Sequence, residues 1–122
     1  MKTMIYISLA LNTLVLLPII VLMFVKAPIV DETWGSFSPA RGILMSIYFA
    51  ILVVSLALLF LPAPALVAAL LLVQVIYKVT TPFTVGEISH PVVISNLVIA
   101  AFHIATLITI FRASGSQILT IR

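Results

Sequence analysis

Three long stretches of this chain carry no charged side chain. Asp, Glu, Lys and Arg are absent from residues 3–25, 42–77 and 91–111. Each stretch reaches or exceeds the roughly 20 apolar residues that a helix needs to cross a hydrocarbon core about 30 Å thick. With 64% hydrophobic and 7% charged residues among 122, the chain also has too little polar surface for a water-soluble globule. The sequence therefore predicts an integral membrane protein.

The middle apolar stretch is too long for one crossing. As a single helix, residues 42–77 would extend about 54 Å, nearly twice the hydrocarbon thickness. Pro62 and Pro64 break this stretch, because each removes an amide donor and restricts the residue before it. We therefore predict an all-α, polytopic four-helix bundle that forms a single membrane domain over residues 1–122. Its transmembrane helices are expected at about 4–25, 39–61, 64–80 and 91–111.

Local signals refine these boundaries. Ser38 is expected to cap the second span with Pro39 in its first turn, and Pro91 is expected to begin the fourth. Residues 81–86 contain a proline and a glycine and predict an ordered turn at the membrane interface. The first apolar run is longer than the core of a signal peptide, so it is interpreted as a retained span.

The orientation of the chain depends on its few charges. Four spans place both termini on the same side of the membrane. Lys and Arg are divided equally between the terminal side (Lys2, Arg112, Arg122) and the loop side (Lys26, Arg41, Lys78). Because the free amino terminus adds a positive charge and all three acidic residues lie on the loop side, we expect both termini to be cytoplasmic.

Several aromatic residues and one lysine are expected at the membrane interface. Trp34, Phe37 and Phe83 lie in the predicted loops, and Tyr77 and Lys78 lie near the end of the third span. Lys78 is expected to extend its ammonium group towards water, with its methylenes in the apolar zone. The alternative role of Lys78 is to serve as counter-ion for an anionic headgroup or substrate.

Polar and small residues within the spans predict helix packing, because they allow hydrogen bonds and close backbone approach in lipid. Ser8 and Asn12, four residues apart, share one face of the first span. Ala101 and Ala105 lie opposite the polar face of the fourth span. The candidate packing residues are Asn12, Gly42, Ser46, Ala50, Gln74, Asn96, Ala101 and Ala105. A helix with a polar face and a small-residue face is expected to contact neighbours on both sides.

His103 is the most unusual intramembrane residue. It shares a narrow arc of the fourth span with Asn96, Ala100 and Leu107. One interpretation is a structural hydrogen bond to Asn96, Asn12 or Gln74. The other is axial ligation of a haem or chlorin, for which a neutral imidazole is suited. The second histidine, His90, precedes Pro91 outside the helix, so bis-histidine ligation would require another subunit.

Composition narrows the function classes. The six basic residues are dispersed, which argues against nucleic-acid binding, and the absence of cysteine excludes thiolate chemistry and cysteine-ligated metals. The loop-side acids Asp31, Glu32 and Glu87 have no recognised metal-ligand spacing, and no catalytic or metal site is predicted.

The expected function is that of a small non-catalytic protein, an accessory or structural subunit of a larger membrane complex. Its expected partners are membrane lipids and other integral membrane subunits or a second copy. One alternative is a passive transporter or channel component lined by Asn12, Gln74, Asn96 and His103. The other is a cofactor protein that uses His103. Coupled transport is disfavoured because no carboxylate lies within a span.

Overall fold

A computed structural model of the chain describes residues 1–115. Arg122, which the sequence places on the terminal side of the membrane, lies outside the described residues. The described part is all-helical, with four helices long and apolar enough to cross a membrane, so the predicted fold class is confirmed. The helices are α1 (Lys2–Phe24), α2 (Pro28–Trp34), α3 (Pro39–Phe60), α4 (Pro64–Val85) and α5 (Pro91–Ser114). The short helix α2 lies in a segment that the sequence predicted as loop.

Proline marks the beginning of every helix after α1. Pro28, Pro39, Pro64 and Pro91 each occupy the first turn of their helix. The fixed φ of proline suits this position, and the amide it lacks would have no partner there. Ser38 caps α3 as predicted, since its hydroxyl accepts a hydrogen bond from the backbone N–H of Arg41 at 3.2 Å.

Helix α4 continues five residues beyond the predicted end of the third span. The prediction of a turn at residues 81–86 is therefore wrong for all but Gly86, which ends the helix in the left-handed conformation at φ 80°. Pro82 within the helix cannot donate to the carbonyl of Lys78, but the Thr81 hydroxyl donates to that carbonyl at 2.7 Å. The side chain before the proline thus replaces the missing helical hydrogen bond.

The chain divides into two compact units. Among the described residues, unit one contains Met1–Ser8 and the chain from Pro62 to Gly115, and unit two contains Leu9–Leu61. Helix α1 contributes its first turns to unit one and its remainder to unit two.

Unit one is built on the closely packed hairpin of α4 and α5. The buried residues of both helices recur at alternating intervals of three and four. The residues in this repeat are Val67, Leu71, Gln74 and Lys78 on α4, and Val93, Asn96, Ala100, His103, Leu107 and Ile110 on α5. Ala68, Val75, Ile99 and Thr106 are buried beside it. A repeat of about 3.5 residues is typical of helices that cross at a small left-handed angle, the common arrangement in membrane bundles.

Unit two joins the greater part of α1 to α2 and α3. Its core contains Leu9, Leu16 and Met23 of α1, Val30 of α2, and Tyr48, Ile51, Leu52 and Leu58 of α3. Large apolar side chains such as Leu14, Phe49 and Phe60 are exposed on its outer surface. An exterior this apolar suits hydrocarbon rather than water, which agrees with the membrane assignment.

Candidate functional site

A buried hydrogen-bonded triad joins α1 to α5 in unit one. The Ser8 hydroxyl oxygen lies 2.6 Å from Thr106 Oγ1 and 3.1 Å from His103 Nδ1. All three side chains are fully buried. Each hydroxyl carries one proton, so a consistent arrangement has Thr106 donating to Ser8 and Ser8 donating to Nδ1. Polar groups that would be costly in an apolar interior are thereby satisfied.

For His103, the structure supplies a partner that the sequence did not predict. His103 Nδ1 contacts Ser8, and the expected hydrogen bond to Asn96, Asn12 or Gln74 stays a prediction. The arc that His103 shares with Asn96, Ala100 and Leu107 is buried along its length. Ligation of a haem or chlorin stays a prediction.

A second polar contact joins α4 to α5. Lys78 is only 4% exposed, and its Nζ donates to Asn96 Oδ1 at 3.1 Å. The same Nζ lies 4.9 Å from the ring centroid of Tyr77, which is half-buried. The expectation that Lys78 extends towards water is wrong in this respect, because α4 continues two turns beyond it and α5 packs against that face. Gln74, one turn earlier on the same face of α4, is also buried.

Unit two contains its own buried polar contact. Asn12 Nδ2 on α1 donates to Ser55 Oγ on α3 at 3.1 Å, and both side chains are buried. The sequence singled out Asn12 but not Ser55. A lone serine within an apolar run gave no signal of its own, since its role depends on which residue faces it.

The small residues predicted to pack lie mostly on outward faces. Ala101 and Ala105 of α5 are exposed, as are Ser46 and Ala50 of α3. Gly42 is half-buried beside the Phe37 ring. Their role in contacts with further helices stays a prediction.

Between α1 and α3 the chain forms a folded cap that the sequence did not reveal. Arg41, at the start of α3, is buried and forms an ion pair with Asp31 of α2. Its Nη1 also donates to the Gly35 carbonyl at 2.7 Å, and its guanidinium lies 5.3 Å from the Phe37 ring centroid. These contacts fix α2 against α3. The sequence contained one signal for this cap. Asp31 and Arg41 are ten residues apart, with a glycine and a proline between them.

The aromatic residues expected at the interface differ in exposure. Trp34 is half-buried at the end of α2. Phe37 and Phe83 are exposed, and Phe83 has the greater exposed fraction. Phe83 lies within the last turn of α4 and not in the loop where the sequence placed it.

The acidic and histidine side chains of residues 1–115 do not form a common site. The carboxylates of Asp31, Glu32 and Glu87 all lie outside the four long helices. Within residues 1–115, no three His, Asp or Glu side chains come together in a group that could hold a metal ion. Polar groups of the long helices contact one another in the Ser8 triad and in the Lys78–Asn96 and Asn12–Ser55 pairs.

Comparison of the chain with protein-family models, curated proteins and solved structures finds no match. The class of protein follows from the helices themselves, whose number, length and apolar surfaces are those of a multi-pass membrane protein.

Proposed function

We propose that this protein is a non-catalytic subunit that associates laterally with other helices in the membrane, either those of a larger complex or those of a second copy. The observation that carries the proposal is the face formed by Ala101 and Ala105 on α5. These alanines are four residues apart and exposed, on the side opposite the buried arc that contains His103. A small-residue pair at this spacing lets another helix approach closely, which favours association in lipid.

The buried polar residues support the same function. Ser8, Asn12, Lys78, Asn96 and His103 are all buried, and each has a hydrogen-bonding contact on another helix. Their contacts join helices of the same chain, so their evident contribution is to hold the chain together. The outward faces of the helices are then the surfaces available for association with other helices.

The experiment is co-purification in mild detergent of the wild type and of the variants Ala101→Leu and Ala105→Leu. Each variant adds three carbon atoms to the proposed contact surface, so we expect the associated subunit or second copy to be lost. Ala69→Leu is the matched control, because Ala69 is exposed on α4 and receives the same increase in volume. Association that survives both α5 variants at the wild-type level overturns the proposal.

Chemical cross-linking identifies the neighbour of the Ala101–Ala105 face. Chemical cross-linking in intact membranes before extraction gives either a species of twice the monomer mass or an adduct with another polypeptide. The first outcome assigns the face to a homo-oligomer and the second to a larger complex. A cross-linked product that is unaffected by the α5 variants places the contact elsewhere and contradicts the proposal.

A further inference from the structure

An apolar groove runs along unit two between α1 and α3. Its volume is about 440 Å³, within the range of about 300–1,000 Å³ that is typical of small-molecule sites. The groove is lined by Ile20, Val21 and Phe24 of α1 and by Met45, Ser46 and Phe49 of α3. Both helices are long apolar spans, so this groove faces the hydrocarbon of the bilayer.

The groove continues into a smaller cavity with cationic groups. This second cavity has a volume of about 180 Å³ and shares Phe24 and Met45 with the groove. Lys26, Phe37 and Arg41 also line it. Lys26 follows the last turn of α1, so its ammonium group lies at the depth where phospholipid headgroups meet the end of a span.

The two cations of the small cavity differ in their charge balance. Arg41 is buried and ion-paired with Asp31. Lys26 is exposed, and its Nζ lies 4.7 Å from the Phe37 ring centroid. Among residues 1–115, the Arg41–Asp31 contact is the only ion pair, so no carboxylate of these residues neutralises the charge of Lys26. The cavity therefore presents one net positive charge to an occupant.

The backbone at Lys26 is unusual for a lysine. Its φ is 54°, the left-handed conformation in which glycine is normally found. The Ala27 N–H donates to the Leu22 carbonyl and the Lys26 N–H to the Met23 carbonyl, which is the Schellman pattern that ends many helices with glycine. Lys26 is the only non-glycine residue with positive φ among residues 1–115, and it lines the small cavity; a backbone of this kind next to a cavity favours a functional role for the residue.

We propose that the groove and the small cavity together bind one anionic phospholipid, with an acyl chain between α1 and α3 and the headgroup phosphate at Lys26. The apolar lining matches the chain, and the single unneutralised cation matches the negative headgroup. Because the groove leads directly from the cation into hydrocarbon, the occupant is a membrane lipid rather than a free anion. This inference is independent of lateral association, since a single copy supplies every residue of the site.

The test is native mass spectrometry of the detergent-solubilised protein with equal concentrations of phosphatidylglycerol and phosphatidylcholine. We expect phosphatidylglycerol to bind about fivefold more tightly, which corresponds to about 1 kcal/mol for one cation near an anionic headgroup. Equal retention of the two lipids overturns the proposal. Displacement of phosphatidylglycerol by an equal concentration of inorganic phosphate also overturns it, because a simple anion site would then be sufficient.

Variants at Lys26 separate binding from folding. Lys26→Gly removes the charge and relieves the left-handed conformation, so we expect the preference for phosphatidylglycerol to disappear while thermal stability rises. Lys26→Arg should retain the preference, and Lys2→Gln, which removes a cation at the other end of α1, should leave it unchanged. A Lys26→Gly protein that keeps the full preference contradicts the assignment of the headgroup to Lys26.

The groove itself is tested by adding bulk. Ser46→Phe introduces a ring into the lining and should reduce the retention of both lipids, with Ala69→Phe on the exposed face of α4 as the control. Undiminished retention in Ser46→Phe contradicts the placement of the acyl chain.

Discussion

The Nζ atom of Lys78 donates a hydrogen bond of 3.1 Å to Oδ1 of Asn96, and this contact joins the facing sides of α4 and α5. The two residues lie at similar distances from the loop at residues 86–90, as expected for a helical hairpin. Lys78 is buried, so Asn96 provides polar compensation that lipid or apolar side chains cannot give. The pair therefore constrains how α4 and α5 are aligned along their axes.

Replacing Asn96 with Leu should destabilise the protein because it leaves the Lys78 amino group buried without this acceptor. We expect a loss of about 1.5–3 kcal/mol in the free energy of unfolding, as for hydrogen bonds to charged groups. Adding Lys78→Met to Asn96→Leu should recover most of this loss, because both polar partners are then replaced. The measurement is unfolding in mixed detergent micelles. No recovery in the double variant would contradict the pairing.

Ser8→Ala removes the central hydroxyl of the triad with Thr106 and His103. Interhelical hydrogen bonds in membranes contribute about 0.6 kcal/mol on average, so we expect a loss of about 1 kcal/mol for the two contacts. Thr13→Val is the matched control on the same helix, since the Thr13 hydroxyl donates only to the Leu9 carbonyl of its own helix. The same unfolding assay compares them, and an equal loss in both variants would exclude a special role for Ser8.

The Thr81 hydroxyl should matter only because Pro82 is present. Thr81→Val removes the donor to the Lys78 carbonyl, and we expect a loss of about 1 kcal/mol, typical of one hydrogen bond. In a Pro82→Ala background the backbone N–H of residue 82 can bond to that carbonyl, so Thr81→Val should then cost little. A double-mutant cycle measures this coupling. Additive effects would show that the two residues act independently.

Asp31→Asn should loosen α2 from the remainder of unit two. The substitution removes the negative charge that pairs with Arg41, so we expect faster hydrogen–deuterium exchange across Pro28–Trp34. Glu32→Gln is the control, because Glu32 is the adjacent exposed carboxylate of the same helix. Equal exchange in the two variants would remove the Asp31–Arg41 contact as the reason that α2 is docked.

The proposed non-catalytic function predicts a colourless protein. We expect a preparation from the native membrane to show no visible absorption band. A band that disappears in His103→Leu but persists in His90→Leu would instead establish His103 as a haem or chlorin ligand, because only His103 lies within a span.

The helices themselves were largely predictable from local sequence. The breaks at Pro62 and Pro64 and the cap at Ser38 follow from properties of single residues and their immediate neighbours. The end of α4 was predicted too early, because Thr81 compensates for Pro82 through a contact that composition does not reveal. Helix α2 was missed for a similar reason, since its contact with α3 includes an ion pair between Asp31 and Arg41 that composition does not reveal.

The sequence predicted several of the buried polar residues but not the hydrogen bonds that join them. Asn12, Asn96 and His103 were recognised because polar groups are rare and costly in apolar spans. Their partners Ser55, Lys78 and Ser8 followed only from the fold. Spacing along one helix gives the direction of a side chain about that helix axis, but it does not give the rotation and axial shift of the neighbouring helix.

By itself, the sequence determined that this chain forms four apolar spans with proline at their boundaries, because transfer into hydrocarbon and proline stereochemistry are local properties. Only the tertiary structure decided that Ser8 meets His103, that Lys78 turns inward to Asn96, and that Arg41 holds α2. Those contacts depend on how whole helices pack, and packing combines many weak interactions from residues far apart in the chain.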